Sequence, residues 1–390
     1  MPKAMLGAAL LSMLAGCQGL PEVKYETDRL QIAPEFDDPI CEGTLLALDE
    51  HLGQVEDGLG EVGRSEPFRL YWMRDGIVDT CGEGRGGCFF PATRVMFAQS
   101  RSITHEMTHA VLDSVGDSYF LEEGMAELLS GVGVYHEPRA DDVTPGERLR
   151  LSRSEYRNGH FDYDAAAHFM RWIYGHRGVN GVRRIAYEVE DGAEPSQLES
   201  TLEDVMGIPI DEIDVRYRNE AYNFYEGLSY ERTPSLTGEE IDDDEELEGP
   251  EALQFSVSVD LSCASEDTLG PLPDDREGMY QVRRLRVPEH AGAVLTVNGE
   301  AGTWVEVYDP YARWWRGVMP DWMLPNPAID VDGLHLEPGD IVDAELIPGV
   351  WAVVLGSDNS DQGTVSLHVE LTLVSPKPDP SAPSGPSKSI

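Results

Sequence analysis

Two histidines four residues apart, with a glutamate between them, stand in His105-Glu106-Met107-Thr108-His109. On a helix such positions share one face, so both imidazoles can direct a ring nitrogen at one metal ion. Glu106 then lies beside the ion rather than on it. It is placed to take a proton from a zinc-bound water and deliver it to a leaving amine. Two imidazoles plus a carboxylate, with one position left open, suit Zn2+. The neighbours Ile103, Met107, Ala110, Val111 and Ser114 form an apolar-to-small face, as a buried helix requires. An exposed helix with two incidental histidines is the rival reading, and that face speaks against it.

The third ligand has to come from a second helix. Tyr119-Phe120-Leu121-Glu122-Glu123-Gly124-Met125-Ala126-Glu127 offers one. Leu121, Met125 and Leu128 make an apolar stripe, while Glu123 and Glu127 share another face. Gly124 and Gly131 lack side chains and would let this helix approach a neighbour closely. These two segments resemble the gluzincin clan of zinc metallopeptidases, which includes thermolysin and the aminopeptidases with an Asn-Glu-Gly-Phe-Ala-Glu signature. Here Glu122 stands for the Asn and Met125 for the Phe. The resemblance covers residues 94–180 and is strongest at the two motifs. It implies a peptidase acting on a peptide or protein, with zinc held by His105, His109 and Glu123. Glu106 would be the general base, and Glu127 would orient a ligand histidine through its other ring nitrogen.

Tyr163-Asp164-Ala165-Ala166-Ala167-His168-Phe169 resembles a Tyr-x-x-Ala-x-x-Phe helix found downstream in many gluzincin-like proteins. Tyr163 is the candidate donor to the oxyanion of a tetrahedral intermediate, with His160 and His168 as alternates and a packed core tyrosine as the rival role. The strand at 94–98 would pair its edge with an extended peptide, as in members of the clan. No Gly-x-Met-x-Asn segment is present to hold a substrate amine, so endo- and exopeptidase action both stay open.

These residues need a scaffold, and the pattern gives an α+β chain. A helix is expected from about Cys41 to Leu59, where Leu45, Leu48, Leu52, Val55 and Leu59 recur at three- and four-residue steps. Residues 68–72 and 94–98 read as strands, and helical periods then dominate to about 228. Together, residues 40–235 read as a mainly helical, zincin-like catalytic domain with a small sheet. The like-charge block within 236–251 reads as a solvated linker. After it the period changes to two: Phe255, Val257, Val259 and Leu261, then Val365, Leu367, Val369, Leu371 and Leu373. Residues 252–375 therefore read as an all-β sandwich or jelly roll. Within them, 347–354 and 363–367 are loosely similar to the closing strands of bacterial pre-peptidase C-terminal domains. The Pro/Ser-rich end, 376–390, reads as disordered.

The N-terminus reads as an export segment over residues 1–16, ending in Leu14-Ala15-Gly16-Cys17. This resembles the lipobox of bacterial lipoproteins, which implies lipid on Cys17, a tether over 17–39 and membrane attachment without a protein span. An ordinary signal peptide with a coincidental cysteine is the rival. Gln18 in place of Asp favours the outer membrane, by similarity to the enterobacterial sorting rule. Export leaves Cys41, Cys81, Cys88 and Cys263 in an oxidising compartment. Cys81 with Cys88, around a Gly-rich loop, is the first choice of pair and leaves Cys41 with Cys263, although three connectivities are open. The chain has 390 residues and a net charge of -43, which repels nucleic-acid phosphates and disfavours them as partners. The sequence sets no oligomeric state. A second class of function is a non-catalytic surface lipoprotein, whose β-sandwich binds a ligand and whose metal fold is inactive.

Overall fold

The computed structural model describes residues 20–60, 66–83, 85–112, 118–130, 143–151, 155, 163–189, 193–219, 253–271, 277–287, 291–308, 333–346, 349–359 and 362–373. The segment 1–16, Cys17, the linker 236–251, the tail 376–390, Ser114, Gly131 and His160 lie outside them. The described chain is mixed α+β, with several sheets and no closed barrel.

Strands β1 (Tyr25–Glu26), β2 (Leu30–Pro34), β3 (Phe68–Trp72), β4 (Gly87–Phe90) and β5 (Val95–Ala98) form one sheet in the order β1-β2-β3-β5-β4. The inner three run parallel, and β1 and β4 close the edges antiparallel. Alternation along the strands sends Leu30, Ile32, Phe68, Leu70, Trp72, Met96 and Ala98 into the main core. Ala33, Tyr71 and Phe97 face the other way into a smaller cluster with Ile77. Helix α1 (Glu42–Leu59) crosses from β2 to β3 and buries Leu48, Leu52, Val55 and Leu59 against the main core. Short α2 (Ile77–Cys81) leads to β4, and β5 runs through a 3-10 turn at Ser100–Ser102 into α3 (Ile103–Leu112). Then follow α4 (Tyr119–Leu129), α5 (Pro145–Leu149), α6 (Tyr163–Glu188), α7 (Pro195–Met206) and α8 (Ile210–Asn219). Helix α6 is broken at Gly178, whose φ of 61° only glycine adopts readily.

Two expectations need correction here. Residues 17–39 are no tether from Tyr25 onward, because this stretch supplies two strands. Leu30 and Ile32 are wholly buried, and Arg29 binds Asp49 at 2.7 Å and Glu56 at 3.3 Å on α1. Pro34 closes β2, so its missing N–H disturbs little of the ladder. The strand at 94–98 is no free edge either: β5 is paired by β3 on one side and by β4 on the other. The edge is β4, which the Cys81–Cys88 disulfide folds back alongside β5.

The C-terminal half consists of antiparallel strands β6 (Leu253–Ser262), β7 (Met279–Val287), β8 (Ala291–Gly299), β9 (Thr303–Tyr308), β10 (Leu334–Leu336), β11 (Ile341–Leu346), β12 (Gly349–Ser357) and β13 (Gln362–Leu373). They make two four-stranded sheets, β10-β9-β12-β7 and β11-β8-β13-β6. The period-two residues Val259, Leu261, Val365, Leu367, Val369 and Leu371 turn into one core shared by all eight strands. The second disulfide, Cys41–Cys263, fastens this half to the start of α1. Backbone bonds reinforce it: Glu42 N–H donates to Cys263 O at 2.9 Å and Cys41 N–H to Gly270 O at 3.1 Å. A side chain at Gly43 would lie 2.5 Å from Glu266 O.

Helices α4 and α6 touch through Gly124, where an added Cβ would stand 2.5 Å from Ala166 O and 2.7 Å from Met170 Cγ. A carbonyl in a helix cannot yield as a side-chain tip can. Gly124→Ala is therefore expected to cost about 1–3 kcal/mol in denaturant unfolding, in line with overpacked cores. Unchanged stability would show that the helices are not in this contact.

Candidate metal centre

Helix α3 buries Ile103, Met107, Ala110 and Val111 in the main core. That leaves His105 and His109 facing α4, and Glu106 against Gly87 on β4. The entry to α3 is fixed by Trp72, whose Nε1–H donates to Ser100 Oγ at 3.0 Å. Helix α4 starts at Ser118, which accepts from Leu121 N–H at 3.4 Å, so Glu122 and Glu123 fall in the helix's opening turns. There the exposed backbone N–H groups favour negative charge.

Three atoms converge between the helices. His105 Nε2 and His109 Nε2 are 3.0 Å apart, and Glu123 Oε2 is 3.2 Å from each. Among the described residues these three form the one group of His, Cys, Asp and Glu side chains able to hold a metal ion. Ligands at zinc-like bond lengths around one tetrahedral ion lie about 3.3–3.5 Å apart, so the triangle fits one small cation. The other ring nitrogens agree with this. His105 Nδ1 lies 3.1 Å from Glu127 Oε1, and His109 Nδ1 lies 3.4 Å from Glu122 Oε1. In the neutral rings, an Nδ1 proton given to each carboxylate would leave an Nε2 lone pair facing the triangle. Glu127 therefore lies against His105, one of the two histidines of the triangle. Glu122 had no assigned partner in the sequence, and the signal for it was its position one residue before the candidate ligand Glu123.

The charges are strongly coupled. Without metal, burial opposes the imidazolium of His105, yet Glu123 and Glu127 overcome it and push its pKa up to about 9. Burial likewise opposes charge on His109, and Glu123 and Glu122 outweigh it and raise the pKa well above the usual range. Glu123 is depressed far below an ordinary carboxylate; its burial is outweighed by His109 and His105. Burial raises Glu106, against the pull of His109 and His105. A raised carboxylate is suited to holding a proton briefly.

The other candidates separate clearly. Tyr163, at the start of α6, is 40% exposed, and its ring centroid lies 6.0 Å from that of His105. Burial and the charge of Glu123 keep it a phenol at any working pH. His168 is buried away from the triangle, with Nδ1 2.8 Å from the Tyr217 hydroxyl.

No protein-family model matches the chain, and no curated protein sequence matches it. Solved structures show weak similarity. The pre-peptidase C-terminal domain of a collagenase from Bacillus anthracis aligns with 30% of this chain and 89% of its own, at 15% identity and a TM-score of 0.17. PliG of Aeromonas hydrophila, a periplasmic inhibitor of g-type lysozyme, aligns with 32% and 89%, at 11% identity and a TM-score of 0.18.

Glu123 with Glu127 raises His105, and Glu123 with Glu122 raises His109, so a metal would compete with protons for both imidazoles. Apparent metal affinity is therefore expected to climb with pH from neutrality through about 9, the value for His105. Calorimetric titration with Zn2+ near neutrality would show heats that depend on the buffer's ionisation enthalpy. Buffer-independent heats would contradict the coupling. Glu122→Gln weakens the hold on His109 Nδ1 and is expected to lower metal affinity about ten-fold, read by competition with a chelator.

Proposed function

We propose that this chain is a zinc-dependent peptidase of gluzincin type, carried by a lipoprotein of the bacterial envelope and anchored through Cys17. The observation that carries the reading is the triangle of His105 Nε2, His109 Nε2 and Glu123 Oε2, with buried Glu106 beside it. Two imidazoles and one carboxylate, each imidazole backed by a further carboxylate, make a donor set that suits zinc better than harder cations such as Ca2+ or Mg2+. When bound, zinc supplies Lewis acidity, which makes a water nucleophilic near neutral pH and polarises a substrate carbonyl.

The chain's own groups do the rest. Glu106 takes the proton of the attacking water and passes it to the departing amine. Its burial, which raises it, favours that transient protonation. The Tyr163 hydroxyl donates to the oxygen that gains charge in the tetrahedral state. Strand β4 lies at the end of its sheet and next to Glu106, which supports pairing of an extended substrate along it in place of β5. In this reading residues 40–235, together with strands β1 and β2 ahead of them, make the zincin-like catalytic domain, and the β-sandwich is an accessory domain.

Replacing Glu106 with glutamine removes the base while keeping its size and leaving all three metal donors untouched. Glu106→Gln is expected to retain zinc, by elemental analysis, and to lose about 10²–10⁴-fold in turnover of a peptide library. Full activity in that variant would end the mechanism. A zinc-loaded parent inert on every peptide would favour a binding lipoprotein instead.

A further inference from the structure

Gly87 opens the edge strand β4, opposite Ala98 on β5. Built onto its backbone, a Cβ would stand 2.6 Å from both Cγ and Oε1 of Glu106 and 2.9 Å from Cδ. Real Cβ atoms do not approach other heavy atoms that closely, so the Glu106 side chain lies directly on the Cα of Gly87. The backbone does not demand glycine here. Gly87 is absent from the residues of positive φ, whereas Gly82, in the turn before it, has a φ of 97° and open space around its missing side chain. Gly82 serves the turn through its backbone, and Gly87 serves Glu106 through the space it leaves.

The chain is held on both sides of Gly87. Cys88, the next residue, is bonded to Cys81 at the end of α2. Gly86 O, the residue before, accepts from Gln99 N–H at 2.8 Å, just ahead of the turn that starts α3. Strand and motif helix are thus fixed to one another, and the slot for Glu106 lies between them. Glu106 is only 6% exposed and has little room to choose another place.

We infer that Gly87 is a positioning residue: its bare Cα, held by the Cys81–Cys88 bridge and the Gly86–Gln99 bond, sets where the Glu106 carboxylate sits. The inference rests on the peptidase reading for its consequence in catalysis, but not for the geometry. A side chain at position 87 meets Cγ, Cδ and Oε1 of Glu106 before any backbone atom, so the Glu106 side chain rather than the strand has to give way. Misplacing a catalytic group by about 1 Å can cost on the order of 10²-fold in rate.

The test is Gly87→Ala, made alone and with Glu106→Asp, in the zinc-loaded full chain. Gly87→Ala is expected to keep its zinc and thermal midpoint and to lose on the order of 10²-fold in kcat, with KM within a few-fold of the parent. Asp is one methylene shorter and relieves the contact. Glu106→Asp should therefore cost far less in the alanine background than in the parent, a non-additivity that a merely structural glycine would not produce. A crystal structure of Gly87→Ala should show the Glu106 carboxylate displaced. If the parent hydrolyses nothing and the carboxylate still moves, the peptidase reading falls and the positioning role stands. Parent-like kcat, additive losses, an unmoved Glu106, or a loss of zinc or stability that Glu106→Asp does not relieve would each overturn the positioning role.

Discussion

Everything near the candidate metal centre follows from one constraint: three potential donor atoms lie within 3.2 Å of one another. Without a cation such a cluster is stable only by trapping protons, which is why His105 is driven up to about 9. A divalent ion meets the same demand with bonds to all three atoms at once. Glu106, Glu122 and Glu123 are all buried around this point. Buried carboxylates cost several kcal/mol each unless a partner charge compensates. The site is thus organised around positive charge, and α3 and α4 have to approach closely enough to supply it with ligands.

That closeness is set by small residues as much as by large ones. Gly124 lets α4 lie against α6 at Ala166, and Glu123 sits next to it in sequence. Gly87 does for Glu106 what Gly124 does for α4. In both places the absence of a Cβ, rather than a contact made, fixes the distance between a functional side chain and its neighbours. Tyr163 also depends on this packing, because it lies at the start of α6, the helix that Gly124 admits.

Much of this was legible in the sequence, because helical spacing is a strong local signal. His105 and His109 share a face at any site on a helix, and Glu123 and Glu127 repeat that spacing on the second helix. The α1 period and the alternation of β6 and β13 were equally plain. What escaped was decided by pairing at a distance. Leu30-Gln31-Ile32-Ala33 is too short to stand out among the prolines, and it is a strand because β3 lies beside it. Cys88-Phe89-Phe90 is too short to declare itself a strand, and it takes the sheet edge from residues 94–98 only by pairing with them. Glu122 was visible as a departure from the clan's Asn, but its contact with His109 depends on how α4 is rotated.

The two disulfides were anticipated as a pair of pairs, yet they do different physical work. Cys41 and Cys263 are separated by 222 positions, Cys81 and Cys88 by 7. On chain-entropy grounds alone the long loop is worth about 5 kcal/mol and the short one about 2 kcal/mol. The long bridge is therefore the stabiliser: it limits how far the β-sheet half can drift from the start of α1, which packs into the same core as α3. The short bridge contributes less to stability and more to shape. It closes a turn that would otherwise be free to peel from β5, and the residue beside its second cysteine is the one on which Glu106 rests. A weak constraint at the right place can thus matter more to chemistry than a strong one elsewhere, because displacing a base by an ångström costs rate without costing the fold.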